Sequence, residues 1–370
     1  MLHPQAAIDS TCGNCEDPRT SVGVTVGLRL SGSGIVLEGT SADSVVLHTR
    51  AGYGIWFDRC DECRIANLTV TDGVRDPDGR ATDAAVVVRY SSVRVEGCRI
   101  RDNIGDFGTV TQTVVGIIGI AGREGARIRA TGNHIRRNSW DGIALYRGAE
   151  AVIEDNVIDG VDKARGKEIG GGRGVGIGLT WDARATVRRN RVTRYWKGIG
   201  VFVDARAEVQ DNIVEDILTW GLAYWDAGTG KPVARFEGNI VYQTGACGIS
   251  IARDREADPA AGDPEPGSCR GNVVVMACQN PKYDDGEIYC AQEAIAVAAA
   301  PEAFVIEFNA RYLTRRPAGM PPPADEQSPG VFAELASPVI ARLGAIPHFA
   351  DSPALMALRQ LTPGESRGWR

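Results

Sequence analysis

The hydrophobic residues of the chain follow one short pattern that returns many times. A Gly-apolar-x-apolar half occurs at residues 54–57, 142–145, 176–179, 198–201, 221–224 and 248–251. A second half of the form Val-x-x-Asn-x-Val follows a turn, as at residues 152–158, 187–192, 209–214 and 236–241. Because apolar residues alternate with period two in both halves, each half predicts a short β-strand.

The asparagines of the second half mark successive copies of the unit. Asn156, Asn190, Asn212, Asn239 and Asn272 are spaced by 34, 22, 27 and 33 residues, so the bare unit is about 22 residues and longer steps carry inserted loops. A unit that advances along one axis stacks equivalent strands in parallel, roughly 4.8 Å apart. The pattern therefore predicts an all-β fold, a right-handed parallel β-helix of roughly nine to ten coils.

The corner asparagines are expected to adopt left-handed backbone and to hydrogen-bond to one another between coils. Cys98 takes the asparagine position in the copy at residues 94–100. We therefore predict that Cys98 is a buried, unpaired thiol.

The two halves together resemble the repeat of the pectate-lyase-like, right-handed β-helix superfamily, over about residues 31–309. The resemblance implies a polysaccharide lyase, a glycoside hydrolase, a uronate epimerase or a non-catalytic surface or periplasmic protein. The chain lacks the Asp-Pro-His motif of uronan epimerases and the polygalacturonase set of Asn-Thr-Asp, Asp-Asp and His-Gly. Hydrolase and epimerase activities are therefore less favoured than lyase activity.

Composition outside the repeat divides the chain into four segments. Residues 1–30 are a lead-in or cap, 31–309 the β-helix, 310–330 a proline-rich linker and 331–370 a helical tail. Ser337-Pro338 and Ser352-Pro353 are typical helix starts. An apolar stripe beside the asparagines needs a cover, either the tail or an oligomer interface. This stripe consists of Val157, Ile213, Ile240 and Val273.

The cysteines and the N-terminal residues provide information on the cellular compartment of the protein. Nine cysteines include the CxxC pairs Cys12/Cys15 and Cys60/Cys63, which fit disulfides or free thiols better than zinc because 44 residues separate Cys15 from Cys60. Disulfides indicate an oxidising compartment, so we expect an extracytoplasmic protein, although residues 1–20 do not form a signal peptide. No run of 18 apolar residues predicts membrane insertion.

Charge is unevenly distributed. Residues 123–206 contain 17 Lys and Arg against 10 Asp and Glu, whereas the whole chain has a net charge of −6. The overall acidity argues against nucleic-acid binding, while a basic centre suits an anionic polysaccharide. Arginines on a solvated strand face are the alternative explanation.

Outward residues of the first half predict a trough. Its floor is a column of small residues, Ala144, Gly178, Gly200, Ala223 and Ser250. The predicted substrate-binding residues are Trp140, Asp141, Tyr146, Trp181, Trp196, Phe202, Trp220, Trp225, Arg136 and Arg137. A row of exposed aromatic residues suits an extended sugar chain. The alternative is that small residues relieve crowding and tryptophans cover strand ends.

The segment "TRYWKG", residues 193–198, contains the residues that we predict to be catalytic. β-Elimination on a uronate needs a cation to neutralise the carboxylate, a base for the C5 proton and an acid for the leaving oxygen. We assign Lys197 as base, Arg194 as neutraliser and Tyr195 as acid. Some β-helix alginate and chondroitin lyases are similar in using a lysine and an arginine.

No cofactor is predicted, although a column of three aspartates, Asp182, Asp204 and Asp226, could bind calcium or cap its own turns. The function predicted is a polysaccharide lyase for an anionic, uronate-containing polysaccharide. The alternative is a non-catalytic glycan- or protein-binding β-helix protein of the cell surface or periplasm. The oligomeric state stays open.

Overall fold

The chain winds into a solenoid whose coils each add one short strand to three sheets. This computed structural model describes residues 1–105, 115–161, 174–258, 262–284, 292–321, 323 and 326–362. Within a coil, alternate apolar side chains such as Ile199, Val201 and Val209 point inward and join one continuous buried core. The predicted parallel β-helix is confirmed.

The strands of the first sheet carry the first half of the repeat. They are, in order, Gln5–Asp9, Val22–Ser33, Tyr53–Asp61, Ala84–Arg89, Ile118–Arg123, Ile143–Leu145, Val175–Leu179, Lys197–Phe202, Leu222–Asp226, Ile249–Arg253 and Ile295–Ala298. Gln5–Asp9 runs antiparallel to its neighbour, whereas Val22–Ser33 already pairs in parallel with Tyr53–Asp61. The first coil therefore starts within residues 1–30, which sequence analysis treats as a lead-in.

The second and third sheets each have ten strands among the described residues. Those of the second sheet are Val36–Glu38, Cys63–Ala66, Ser92–Glu96, Arg127–Thr131, Glu150–Glu154, Arg184–Arg188, Arg206–Gln210, Val233–Glu237, Gly267–Arg270 and Val305–Glu307. Those of the third sheet are Val46–His48, Thr69–Thr71, Arg99–Arg101, His134–Arg136, Val157–Asp159, Arg191–Thr193, Ile213–Ile217, Ile240–Thr244, Val273–Val275 and Ala310–Tyr312.

A buried asparagine ladder joins the corners between the second and third sheets. In each step the side-chain Nδ2 donates to the Oδ1 of the next asparagine at 2.8–3.0 Å. The ladder consists of Asn133, Asn156, Asn190, Asn212, Asn239, Asn272 and Asn309. The Cys98 backbone N–H donates to Asn133 Oδ1 at 2.9 Å, and its thiol is buried and free. The prediction for Cys98 is confirmed.

The left-handed backbone lies one residue before each asparagine. Asp211 has φ 56° and Gly238 has φ 63°, whereas the ladder residues Asn212 and Asn239 do not have positive φ. The expectation of left-handed asparagines is therefore wrong. The chain turns at the preceding residue, and the asparagine amide is then directed into the stack between coils.

Two helices form the C-terminal tail. Helix α1, Pro329–Gly344, is capped by Ser328, and helix α2, Pro353–Leu361, is capped by Ser352. The predicted start at Ser352-Pro353 is confirmed. The predicted start at Ser337-Pro338 is wrong, because Ser328-Pro329 begins the helix earlier and Pro338 lies inside it. Short 3₁₀ turns occur at Pro281–Tyr283 and Pro347–Phe349.

The helices cover the apolar stripe of the third sheet. Ile213, Ile240 and Val273 are fully buried in one cluster with α1 and α2, whereas Val157 stays half-buried outside it. The Phe332 ring stacks on Tyr312 with centres 5.0 Å apart. The tail therefore closes the later coils of the third sheet to a ligand.

Candidate functional site

The outward small residues of the first sheet stack on consecutive coils. The register aligns Ala121, Ala144, Gly178, Gly200, Ala223, Ser250 and Ala296. They are buried, because neighbouring side chains fold over them. A Cβ atom added at Gly200 would lie 2.1 Å from Cζ of the Phe202 ring. The trough is thus lined with aromatic rings above the small residues and is not the smooth open floor predicted from sequence.

The N-terminal segment occupies the first coils of this trough. Asp9 is fully buried and forms ion pairs with Arg89 and Arg123. The disulfide between Cys12 and Cys15 follows, and Arg147 donates to the Cys12 carbonyl at 2.9 Å. Cys12 belongs to the same buried cluster as the small residues Ala121 and Ala144. The part of the trough left for a ligand therefore lies toward the later coils.

Lys197 begins its first-sheet strand among three aromatic rings. Its Nζ atom is 4.4 Å from the centre of the Trp196 ring, 4.5 Å from that of Trp220 and 5.5 Å from that of Phe202. Ring faces attract a cation because they carry partial negative charge. Burial lowers the pKa of Lys197, and the nearby charge of Asp141 opposes that change.

The three tryptophans that precede the strands do not form one column. The register of Ile199 with Leu222 places Trp220 beside Lys197, not beside Trp196. Trp196 lies next to Thr219, whose N–H donates to the Trp196 carbonyl at 2.9 Å. The predicted alignment is wrong for Trp220, since it directly precedes its glycine whereas Trp140 and Trp196 lie two residues before theirs.

Asp141 occupies the same outward position two coils before Lys197. Its side chain is buried, with the residue 5% exposed, and Oδ1 accepts the Val175 N–H at 2.6 Å. Burial raises the pKa of Asp141 to about 7, although that hydrogen bond and the Lys197 charge act in the opposite direction. A carboxyl that titrates near neutral pH and an amine with a lowered pKa thus share one column. Such perturbed groups are typical of sites that transfer protons.

The other predicted aromatic residues border the far side of this column. Trp225 is in register with Phe202, and the Tyr146 and Trp181 ring centres are 5.5 Å apart. Trp140, Tyr146, Trp181 and Trp225 are half-buried, and Trp196 is 36% exposed. The sequence offers the loops 159–174 and 276–292 as possible covers of the tryptophans, and their residues 162–173 and 285–291 lie outside the described residues.

The three arginines predicted for the site pair with acidic residues of the third sheet and its corner. Arg194 binds Asp159 through both Nε and a terminal nitrogen, with Nε 2.6 Å from Oδ1. Arg136 lies 3.5 Å from Asp159 and Arg137 lies 3.1 Å from Asp102, so both pair along the third sheet and its corner.

Tyr195 points into the solenoid. It is 0% exposed within the main core, and burial raises the pKa of its phenol well above the usual value. Strict alternation would place Tyr195 and Lys197, which are two residues apart, on the same face of a strand. The chain instead bends at residues 194–196, where Arg194 has φ 60°, so the alternation is broken and Tyr195 turns into the core. The expectation that "TRYWKG" brings its three reactive residues onto one outward corner is wrong.

The predicted aspartate column forms turns. The Asp182 N–H donates to Asp204 Oδ1 at 2.6 Å, and Asp226 accepts the Gly228 N–H and lies 3.3 Å from Arg253. Within the ranges that the structure describes, no group of three His, Cys, Asp or Glu side chains is placed to hold a metal ion. Calcium binding stays a prediction of the sequence.

The outward face of the second sheet forms a groove that the sequence pattern does not predict. This second-sheet groove has a volume of about 900 Å³ and extends along coils from Arg94 to Arg235. The signal for it was present in strands such as "RIRAT" and "RAEVQ", in which charged residues alternate with core residues. The pattern alone does not distinguish a concave surface from a flat solvated one, so it predicts no groove.

The chain is similar to one family model and, at low identity, to several solved structures. A family model for a right handed beta helix region matches residues 23–166. The periplasmic alginate epimerase AlgG is 13% identical with a TM-score of 0.41, over 79% of this chain and 78% of that chain. The Dettilon tailspike protein is 16% identical with a TM-score of 0.37, over 82% and 51% respectively. No curated protein sequence matches the chain.

No helix among the described residues is long and apolar enough to span a membrane. The family model and the three parallel sheets together show that the chain is a right-handed parallel β-helix protein.

Proposed function

We propose that the protein is a carbohydrate-active enzyme that cleaves an anionic, uronate-containing polysaccharide by β-elimination at the column of Asp141 and Lys197. One observation carries this proposal. Asp141, a buried carboxyl with a pKa of about 7, and Lys197, an amine with a lowered pKa, lie in the same outward column. Half-buried aromatic rings beside the column offer apolar faces of the kind that line ligand sites.

Asp141 is the base in this mechanism. Its carboxylate takes the C5 proton of the uronate, the C5–H electron pair forms the C4=C5 double bond, and the C4–O bond breaks. The carboxylic acid then returns the proton to the leaving oxygen on the same face of the sugar, which regenerates the carboxylate. A base is most effective when its pKa lies near the working pH, as burial arranges for Asp141.

Lys197 is the cation in this mechanism. Its ammonium group neutralises the uronate carboxylate, which makes the C5 proton more acidic. The sequence predicts Arg194 in this role, Tyr195 as the acid and Lys197 as the base. Arg194 is instead held by Asp159 and Tyr195 is in the core. We therefore propose Lys197 as the cation and Asp141 as both base and acid.

The test follows the ultraviolet absorbance of the unsaturated uronate product during incubation with alginate, pectate and glycosaminoglycans. We expect a rise with at least one substrate. Asp141→Asn and Lys197→Ala should each lower the rate by about 10²- to 10⁴-fold. Lys231→Ala, which removes an exposed lysine elsewhere, is the matched control and should keep the wild-type rate. Full activity in both site variants would refute the assignment.

A glycan-binding protein without catalysis is the second candidate. Two observations favour it. The Phe202 ring covers Gly200, and Asp141 is only 5% exposed, so access to the trough is restricted. This candidate predicts binding to one of the same polysaccharides with no product from wild-type protein, and equal affinity in Asp141→Asn.

We also propose an extracytoplasmic location. The Cys12–Cys15 disulfide supports it, because disulfides persist in oxidising compartments. Alkylation of the protein as isolated from its native cells, followed by mass spectrometry, should find both cysteines unmodified before reduction; alkylated Cys12 and Cys15 would contradict this location.

A further inference from the structure

The second-sheet groove presents two rows of outward side chains over six consecutive coils, a length of about 24 Å at the spacing of parallel strands. The register places Ser92, Arg127, Glu150, Arg184, Arg206 and Val233 in one row, and Arg94, Arg129, Val152, Thr186, Glu208 and Arg235 in the other. The groove therefore fits a linear ligand aligned with the solenoid axis better than a compact one.

Two arginines in this groove have no protein partner. Arg127 and Arg235 are exposed, and within the described ranges their side chains form neither an ion pair nor a hydrogen bond. Other groove arginines are occupied, as Arg206 is by Asp263 at 3.0 Å. Arg127 and Arg235 lie four coils apart, roughly 19 Å at strand spacing. They are thus placed to hold two anionic groups of one extended chain.

The acidic residues between them restrict the kind of anion. Glu150 and Glu208 are also exposed and form no ion pair with the described residues. A carboxylate only accepts hydrogen bonds, so it needs hydroxyl donors on the ligand and repels a continuous phosphate backbone. A guanidinium binds a carboxylate through two parallel hydrogen bonds. Sugar hydroxyls and spaced carboxylates on one polymer satisfy both residue types.

We propose that the second-sheet groove is a separate binding site for a linear polysaccharide that carries carboxylates, anchored by Arg127 and Arg235 with Glu150 and Glu208 on its hydroxyl groups. The site lies on a different sheet from Asp141 and Lys197. It therefore holds the polymer without taking part in bond cleavage, and it does not depend on the activity proposed for the first sheet.

The test measures the affinity of the Arg127→Gln/Arg235→Gln double variant for polygalacturonate and alginate by titration calorimetry. We expect a loss of about tenfold for each arginine, since each removes one charge-assisted contact. Arg101→Gln, an exposed arginine of the third sheet, is the matched control and should bind as the wild type does. Equal affinity of the double variant and this control would overturn the proposal.

Two further measurements fix the ligand class. Glu150→Gln/Glu208→Gln should bind the polysaccharide more weakly and a single-stranded oligothymidylate more tightly than wild-type protein. Wild-type protein that binds the oligothymidylate as tightly as the polysaccharide would overturn the assignment to sugars. Since all four side chains are exposed, far-ultraviolet circular dichroism and the unfolding temperature should match wild type in both double variants.

Discussion

Lys197 and Trp220 project from the same outward position of neighbouring coils, and the Lys197 Nζ atom lies 4.5 Å from the centre of the Trp220 ring. The ammonium group is partly removed from water, so the ring face replaces part of its hydration. Ring faces attract a cation, so this contact favours the charged amine, whereas burial lowers the pKa of Lys197. The charge is what the proposed mechanism requires for the uronate carboxylate.

A double-mutant cycle between Lys197→Met and Trp220→Leu should measure this contact. We expect a coupling of about 0.5 to 2 kcal/mol in the free energy of unfolding. A second cycle between Lys197→Met and Trp181→Leu is the control, because Trp181 packs on Tyr146 and Arg147. Coupling no larger than in the control would mean that Trp220 does not stabilise the charge.

The pKa of Asp141 predicts a pH-dependent effect on stability. Its folded-state value of about 7 exceeds the unfolded value of about 3.8, so the folded protein binds an extra proton between these pH values. Stability contributed by the protonated carboxyl is present below about pH 4 and is lost as the pH rises through about 7. The free energy of unfolding of the wild type should therefore fall by up to about 4 kcal/mol, relative to that of Asp141→Asn, between pH 4 and pH 8.

Urea unfolding of both proteins across that pH range checks this difference. Asparagine keeps an oxygen that can accept the Val175 N–H, so the comparison isolates the charge. A pH-independent difference between the two curves would show that the Asp141 carboxyl titrates normally.

Tyr195→Phe separates the sequence-based mechanism from the structural one. The Tyr195 hydroxyl has no hydrogen-bond partner among the described residues and is packed against Gly142, where an added Cβ atom would lie 2.9 Å away. Its removal should leave the free energy of unfolding unchanged or raise it by about 1 kcal/mol, and should leave turnover unchanged. Tyr53→Phe is the control for a bonded phenol, since Tyr53 donates to Asp9 at 3.0 Å, and it should destabilise the protein. A tenfold loss of turnover in Tyr195→Phe would restore its role as the acid.

Asn212→Ala should destabilise the solenoid at its centre. Asn212 accepts from Asn190 at 3.0 Å and donates to Asn239 at 2.9 Å, so its loss leaves buried groups on both neighbours without a partner. We expect a cost of about 2 to 4 kcal/mol in chemical denaturation, because each unpaired buried group costs about 1–3 kcal/mol. Gln210→Ala, two residues earlier and not buried, should cost less than 1 kcal/mol. Equal costs for the two variants would argue that the ladder adds no stability.

The fold could be predicted from the sequence because the pattern that indicates it is periodic. Alternating apolar residues and evenly recurring asparagines each repeat many times, so the position of Cys98 in the ladder could be read from its neighbours alone. The helix start at Ser328-Pro329 was missed because Ser337-Pro338, which lies inside the helix, has the same Ser-Pro signature of a start.

The site was harder to predict from the sequence than the fold, because its geometry depends on single residues. One residue, Lys197, stands between Trp196 and its glycine, whereas Trp220 directly precedes its own glycine. This one-residue difference places Trp220 in the Lys197 column. Whether Tyr195 faces inward, and whether Asp159 holds Arg194, depends on the conformation of one corner, which no repeat specifies. The pKa of Asp141 depends on burial by residues distant in sequence.

The pH dependence of the initial elimination rate tests the central claim most directly, with any polysaccharide that gives the unsaturated product. If Asp141 is the base and titrates near pH 7, the wild-type rate should rise about tenfold per pH unit below pH 7 and level off above it. Lys231→Ala should follow the same curve. The curve of Asp141→Asn should lack the inflection. A wild-type rate without an inflection near pH 7, or the same inflection in Asp141→Asn, would contradict the assignment of catalysis to Asp141 and Lys197.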